Sequence, residues 1–229
     1  MWDAETGFVQ RDVEYSKVDD GISIELVLDP LASRFVVFRN NSSGKNDDGL
    51  TYNLQYGFSN HTARDIIDLS NDWEVEFDAE MGAPESYQFN KLTSWTDVDD
   101  KGVNYYSGSA SYSRDFSVSK ETLSKRKEAF VVFENIQEMA RVSVNGNDCG
   151  IVWTPPYKAN ITQYLKEGTN NITVQVINNW NNRIVGDLKN PDEKEYTKTN
   201  AKQKFTAESP LLVSGLIGKA EIIFTNRYE

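Results

Sequence analysis

Apolar and polar side chains alternate with a period of two along most of the chain, the pattern of strands that bury one face. Ile22, Ile24, Leu26 and Leu28 interleave with Ser23, Glu25 and Val27, and Trp73, Val75 and Phe77 with Glu74 and Glu76. The same rhythm runs through Ala140 to Val144, Ile172 to Val176 and Ala220 to Phe224. Two runs, Phe35-Val36-Val37-Phe38 and Phe130-Val131-Val132-Phe133, are apolar throughout and predict strands covered on both sides. Turn signals punctuate these segments at Asp20-Gly21, Asp48-Gly49, Asn145-Gly146 and Glu167-Gly168, and the Asn-Gly pair between alternating segments marks a hairpin. A helical period is confined to Ser119 to Phe130, with a single turn expected near Thr162 to Lys166. Many short strands with almost no helix predict an all-β sandwich.

The pattern also divides the chain. Residues 40–65 are rich in Asn, Ser, Gly and Asp, which bury too little apolar surface to hold a strand on a core. They are expected to form a linker with one short strand near Leu50 to Phe58. Before them, residues 1–39 supply too few strands for a stable sandwich and are expected to be the end of an upstream β domain. After them, residues 66–229 hold about eight predicted strands, enough for one sandwich. Residues 187–209 are charged and unpatterned, as in a functional flap or a disordered loop.

Composition narrows the chemistry. The 229 residues carry a formal charge of −11, which disfavours nucleic acid and anionic membranes as partners. The longest apolar run, Ala129 to Phe133, is far short of the roughly 20 residues that cross a bilayer as a helix. No secretion signal is visible in the first twelve residues. One histidine and one cysteine cannot build a His/Cys metal cluster, a CxxC pair or an intrachain disulfide, and His61 lies in a polar stretch expected at the surface. Asp97, Asp99 and Gly102 match the start of a calcium loop, but Lys101 and Gly108 stand where ligands are required, so no cofactor is called and a structural calcium is carried only as an option. Carboxylate pairs of the kind that cleave glycosides cannot be singled out among 35 acids.

Aromatic and amide residues form the sharper signal. Sugars present apolar C–H faces and rings of hydroxyls, so their sites join a flat aromatic platform to planar amide, carboxylate or guanidinium partners. Asn178-Asn179-Trp180-Asn181-Asn182-Arg183 concentrates such groups at the end of a predicted strand, with Asp187 following. Trp95, Tyr105-Tyr106, and Trp153 with Pro155-Pro156-Tyr157 add rings in loops. The candidate ligand-binding residues are therefore Trp180, Asn182, Arg183, Asp187, Trp153, Tyr157 and Tyr106. The bland reading, in which the rings close the ends of the core, stands beside it. For Arg183 and Asp187 the alternatives are an ion pair bracing the loop or a role at a sugar rim.

These residues carry a resemblance. From Tyr105 to Asp187 the chain resembles the galactose-binding-like jelly roll attached to β-galactosidase-type glycoside hydrolases. It is more similar still to the carboxy-terminal region of the family 106 α-L-rhamnosidases. The shared stretches are YYSGSASYSRDF (105–116), VSVNGNDCGIVWTPPYKANITQYLKEGTNNITVQVINNWNNRIVGD (142–187) and SPLLVSGLIGKAEI (209–222). WDAETG (2–7), DPLASRFVVFR (29–39), WEVEFDAEMGAP (73–84) and LTSWTD (92–97) extend the similarity upstream. The resemblance implies a parent enzyme whose catalytic glutamates lie in a preceding (β/α)8 barrel, with calcium near the sugar. No residue here matches those glutamates, and the strand pattern leaves no room for eight helices.

The expectation is thus an all-β, galactose-binding-like jelly-roll sandwich preceded by strands of an incomplete β domain. It would be a non-catalytic, carbohydrate-binding accessory module of a glycoside hydrolase acting on rhamnose-containing polysaccharide. Its expected partners are carbohydrate and the catalytic barrel of its parent, with no nucleic acid and no membrane; the parent is expected to be periplasmic or extracellular. The alternative is a purely structural sandwich that buttresses the barrel without binding sugar.

Overall fold

The computed structural model describes residues 1–5, 7–39, 63–124 and 128–225. His61, the Asp48-Gly49 turn and the strand expected near Leu50 to Phe58 lie outside them. The described residues up to 39 carry four short strands: β1 (Trp2–Asp3), β2 (Ser16–Val18), β3 (Gly21–Ser23) and β4 (Arg34–Phe35). The sandwich follows as β5 (Ala63–Asp68), β6 (Trp73–Glu76), β7 (Ser86–Phe89), β8 (Ser109–Val118), β9 (Glu128–Gln137), β10 (Met139–Val144), β11 (Asn147–Val152), β12 (Tyr157–Asn160), β13 (Gly168–Ile177) and β14 (Gly215–Thr225). Among the described residues three short α-helices accompany them, α1 (Lys101–Asn104), α2 (Lys120–Ser124) and α3 (Asn181–Lys189), with four 3-10 turns.

Two antiparallel sheets make the all-β sandwich. One runs β11-β10-β13-β8-β6-β7 and the other β12-β9-β14-β5. Strands adjacent in space are mostly distant in sequence, the signature of a jelly-roll-like topology rather than a meander. The alternation read from the sequence is realised where both sheets supply a facing layer. Trp73, Val75, Tyr112, Val142, Val174, Val131, Leu216 and Ile222 are all fully buried between the sheets. Asn145 and Gly146 both take positive φ, 50° and 77°, as a tight turn joining β10 to β11 requires.

The Trp95 and Tyr112 polar atoms meet each other deep in this core. The Trp95 indole N–H donates to the Tyr112 hydroxyl at 2.5 Å, and the Leu216 amide donates to the same oxygen at 3.3 Å. Gly215, at φ 95°, leads β14 past this pair; a Cβ there would lie 2.5 Å from the Trp95 indole nitrogen.

Several expectations are corrected. Helix α2 ends at Ser124, and the segment from Glu128 is strand, because the apolar run Ala129 to Phe133 enters the middle of a sheet and pairs with both β12 and β14. Of Ile22 to Leu28 only Ile22 and Ser23 are in a strand, and that strand pairs with β2 alone. Phe35 and Phe38 are exposed rather than covered on both faces, since β4 lies in a two-stranded ribbon with β1. Strand β5 begins at Ala63, inside the expected linker, and pairs along β14 at the edge of its sheet.

The first segment is braced by an ion pair of its own and acts on the sandwich by charge at Lys158. Arg34 pairs with Asp3 at 3.3 Å with both side chains almost fully buried. Lys158 on β12 stands close enough to Asp29, Glu5 and Asp3 for their charges to act on it; burial pulls its ammonium pKa down, and these carboxylates push it back up.

Candidate functional site

The cluster from Asn178 to Asp187 is helix rather than loop from Asn181 onward, and its amides are spent locally. Asn178 accepts from the Gly108 amide at 2.8 Å and donates to the Tyr106 carbonyl and the Ser214 hydroxyl. Asn179 accepts from the Asn181 amide and donates to Glu138 at 2.8 Å. Asn182 holds Leu212 through both its backbone groups, at 2.7 Å each, and also reaches Ser214. These bonds tie the end of β13 to the start of β8 and to the approach into β14, so the sequence turns into α3 at a fixed place. Ile184 and Val185 supply the buried apolar side of that helix.

Its polar side is buried too. Arg183 and Asp187, one helical turn apart, form an ion pair at 3.1 Å with side chains only 6% and 2% exposed. Asp187 Oδ2 accepts from the Tyr196 amide at 3.1 Å, the Thr197 amide at 2.7 Å and the Thr197 hydroxyl at 2.5 Å. The Arg183 guanidinium lies over the Tyr196 ring, 4.4 Å from its centroid, and 5.7 Å from that of Tyr105. Gly186 makes room for this stack: a Cβ there would lie 2.6 Å from Tyr105 Cγ. One buried pair therefore pins the segment after α3 back against the helix.

A cleft of about 380 Å³ opens between them, lined by Trp180, Ile184, Tyr196, Thr197, Lys198 and Thr199. This volume lies in the range of small-ligand sites, about 300–1,000 Å³. Trp180, 56% exposed, offers the flat ring at its mouth. Tyr196 contributes less of its face, because Arg183 and Lys194 cover the ring and Gly82 packs against it. Among the described residues that line the cleft there is one cation, Lys198, two threonines and no carboxylate or histidine. Such a lining suits binding by stacking and hydrogen bonds; it holds no acid pair for general acid and base work.

The seven predicted residues are thus divided. Trp180 lines the cleft. Arg183 and Asp187 build its wall from behind, the bracing alternative, and Asn182 anchors the helix that carries it. Tyr106 is fully buried, its hydroxyl donating to the Ser109 carbonyl at 2.7 Å and its ring edge-on to Phe77 and Trp95, with burial raising its pKa. Trp153 is 59% exposed and Tyr157 half-buried, but neither lines the cleft. Trp95, another predicted platform, is in the core. Tyr196 to Thr199 were not named as site residues, although they lie in the 187–209 segment expected to be a functional flap or disordered; an aromatic flanked by hydroxyls and a cation was the available signal. Asp100, from the calcium-like run, instead caps α1 by accepting from the Val103 amide at 3.0 Å. Among the described residues no group of three metal-ligating side chains is assembled. No described helix is long and apolar enough to cross a membrane.

Residues 94–213, more than half of the chain, match the family described as glycosyl hydrolase 2 galactose-binding domain-like. The chain belongs to that family. The whole cleft falls inside the matched galactose-binding-like domain, whereas β5 to β7 and β14, which complete the sheets, lie outside it. A curated protein of Formosa agariphila, provisionally named a beta-glucuronidase, is 31% identical over 178 residues, spanning 68% of this chain and 15% of that protein. The solved structure of a rhamnosidase from Novosphingobium sp. PP1Y is 30% identical with a TM-score of 0.76, covering 93% of this chain and 19% of that one. The galactose-binding-like chain therefore spans less than a fifth of the length of either protein. It corresponds to an accessory region of glycoside hydrolases.

Proposed function

We propose that this galactose-binding-like domain holds carbohydrate for a larger glycoside hydrolase and contributes no bond-breaking residue of its own. The cleft beside α3 is its sugar site. The observation that carries this reading is the exposed Trp180 ring at the mouth of a ligand-sized cleft whose opposite wall is fixed by the buried Arg183–Asp187 pair. A fixed wall matters because a site that need not be ordered on binding loses less affinity to entropy. The rhamnosidase type of the parent, and with it a rhamnose-containing polysaccharide, is supported by the similarity to the Novosphingobium rhamnosidase along nearly the whole chain; a periplasmic or extracellular setting for the parent is part of the same proposal.

Glycan-array and calorimetric binding to the full chain test the reading. Saccharide binding is expected, and Trp180→Ala should abolish it without lowering the melting temperature, since the ring is solvent-exposed. Unaltered binding by that variant would move the sugar away from this cleft.

A second reading has its own observation. Met139, Ile151 and Ile177 are exposed on the outer face of the six-stranded sheet, with exposed Trp153 just beyond β11. This apolar face supports contact with the parent's catalytic barrel. Under buttressing alone, no glycan would bind, and Ile151→Ser with Trp153→Ser would loosen the barrel in the full-length enzyme.

A further inference from the structure

We infer that the cleft beside α3 selects a saccharide unit bearing a negative charge, a uronate carboxylate or a sulfate ester, which Lys198 meets while the sugar ring stacks on Trp180. The inference rests on the sugar-site reading above and adds to it the charge of the ligand.

The electrostatics of the lining point that way. Lys198 is the one charged side chain among the described residues that line the cleft, in a chain whose formal charge is −11. The carboxylate immediately behind the wall is Asp187, and its charge is already met. Arg183 pairs with one oxygen at 3.1 Å, and two amides and a hydroxyl donate to the other at 2.5 to 3.1 Å. The buried pair is neutral as a unit, so Asp187 does not offset the charge that Lys198 brings to the cleft. A neutral sugar gains from Lys198 a hydrogen bond, whereas an anionic one gains the bond together with the attraction of opposite charges. Lys198 is also well placed structurally. Its neighbour Thr197 is fixed by Asp187 through both amide and hydroxyl, so the backbone from which Lys198 projects is held. Trp180, which lines the same cleft, provides the apolar surface for the C–H face of the ring.

The test measures binding of the full chain to three probes: an oligogalacturonide, a sulfated galactan oligosaccharide and a neutral galactan oligosaccharide, each at low and at 0.3 M salt. The expected result is tighter binding of at least one anionic probe than of the neutral one, weakening with salt. Lys198→Gln should lower that anionic affinity about tenfold and the neutral affinity by a much smaller factor, with Lys198→Arg retaining most of both. The exposed position of Lys198 means all variants should melt as the parent does. Binding of the uronate alone or of the sulfate alone would identify the anion. Equal affinity for neutral and anionic probes, or anionic binding indifferent to Lys198→Gln, would overturn the charge selection and leave the sugar site standing. Failure of every saccharide to bind would overturn both.

Discussion

Asp187→Ala is the most informative perturbation of the site. In the wild-type chain the carboxylate is 2% exposed and accepts from Arg183, from the amides of Tyr196 and Thr197, and from the Thr197 hydroxyl. Its removal leaves a buried guanidinium without its counter-charge, and removing one member of a buried pair costs about 3–5 kcal/mol. The two stranded amides alone would cost about 1–3 kcal/mol each if they stayed buried, so part of the loss should be relieved by the 196–199 segment lifting toward water. Against a domain stability of about 5–15 kcal/mol this is a large share. At about 2–4 °C per kcal/mol for a chain of this size, the melting temperature should fall by about 6–20 °C. Urea denaturation followed by circular dichroism measures the loss, and the part of the tryptophan emission that Trp180→Phe removes reports the opening of the cleft. Arg183→Met combined with Asp187→Leu provides the control. Because it removes both charges and refills the volume, the double variant should be more stable than Asp187→Ala alone. A loss below about 1 kcal/mol for Asp187→Ala, or a double variant less stable than the single, would refute the view that a desolvated ion pair holds the cleft wall.

Two further outcomes follow from the interior and from the lone thiol. Tyr112→Phe should lower stability by about 1–3 kcal/mol in chemical denaturation, because the Trp95 indole and the Leu216 amide lose their shared acceptor; an unchanged midpoint would mean that those donors find another partner. The Cys149 thiol is pushed up to about 11, chiefly by burial, with Asp148 adding to the rise and a backbone hydrogen bond opposing it. The folded chain therefore holds that proton more tightly than the unfolded chain, so this group's contribution to stability falls as pH rises from 9 toward 11. Alkylation by iodoacetamide should reach half its maximal rate near pH 11 in the native protein and near 9 in urea; a native profile centred near 9 would refute the burial argument.

Most of the sandwich was legible because a strand in a two-layer fold writes its burial into alternate residues. In β6, Trp73 and Val75 face the core while Glu74 and Glu76 face water, and β13 repeats the rhythm through Ile172, Val174 and Val176. The Asn145-Gly146 turn was legible for a local reason, the tolerance of those residues for positive φ. Ile22 to Leu28 and Phe35 to Phe38 misled because alternation shows that a face could be buried, not that a second layer exists to bury it. Glu128 to Phe130 misled the other way, since their residues suit the end of a helix and were captured by the pairing of β9 with β14.

Helix α3 shows where local reading stops. Its inward face carries Asn182, Arg183 and Asp187, polar residues that an amphipathic pattern assigns to water. They are buried because Leu212, Ser214, Ser107 and Thr197, remote in sequence, bring complementary hydrogen-bonding groups to them. Fold class, hairpin position and the concentration of amides and charges around Trp180 were properties of nearest-neighbour chemistry, written in the chain. The cleft, the choice of Trp180 over Tyr106 and Trp95 as the exposed ring, and the isolation of Lys198 as its charge arose from which distant segments meet. That follows because solvent exposure and charge compensation depend on packing in three dimensions, and a residue's own identity carries no record of the partners folding will bring.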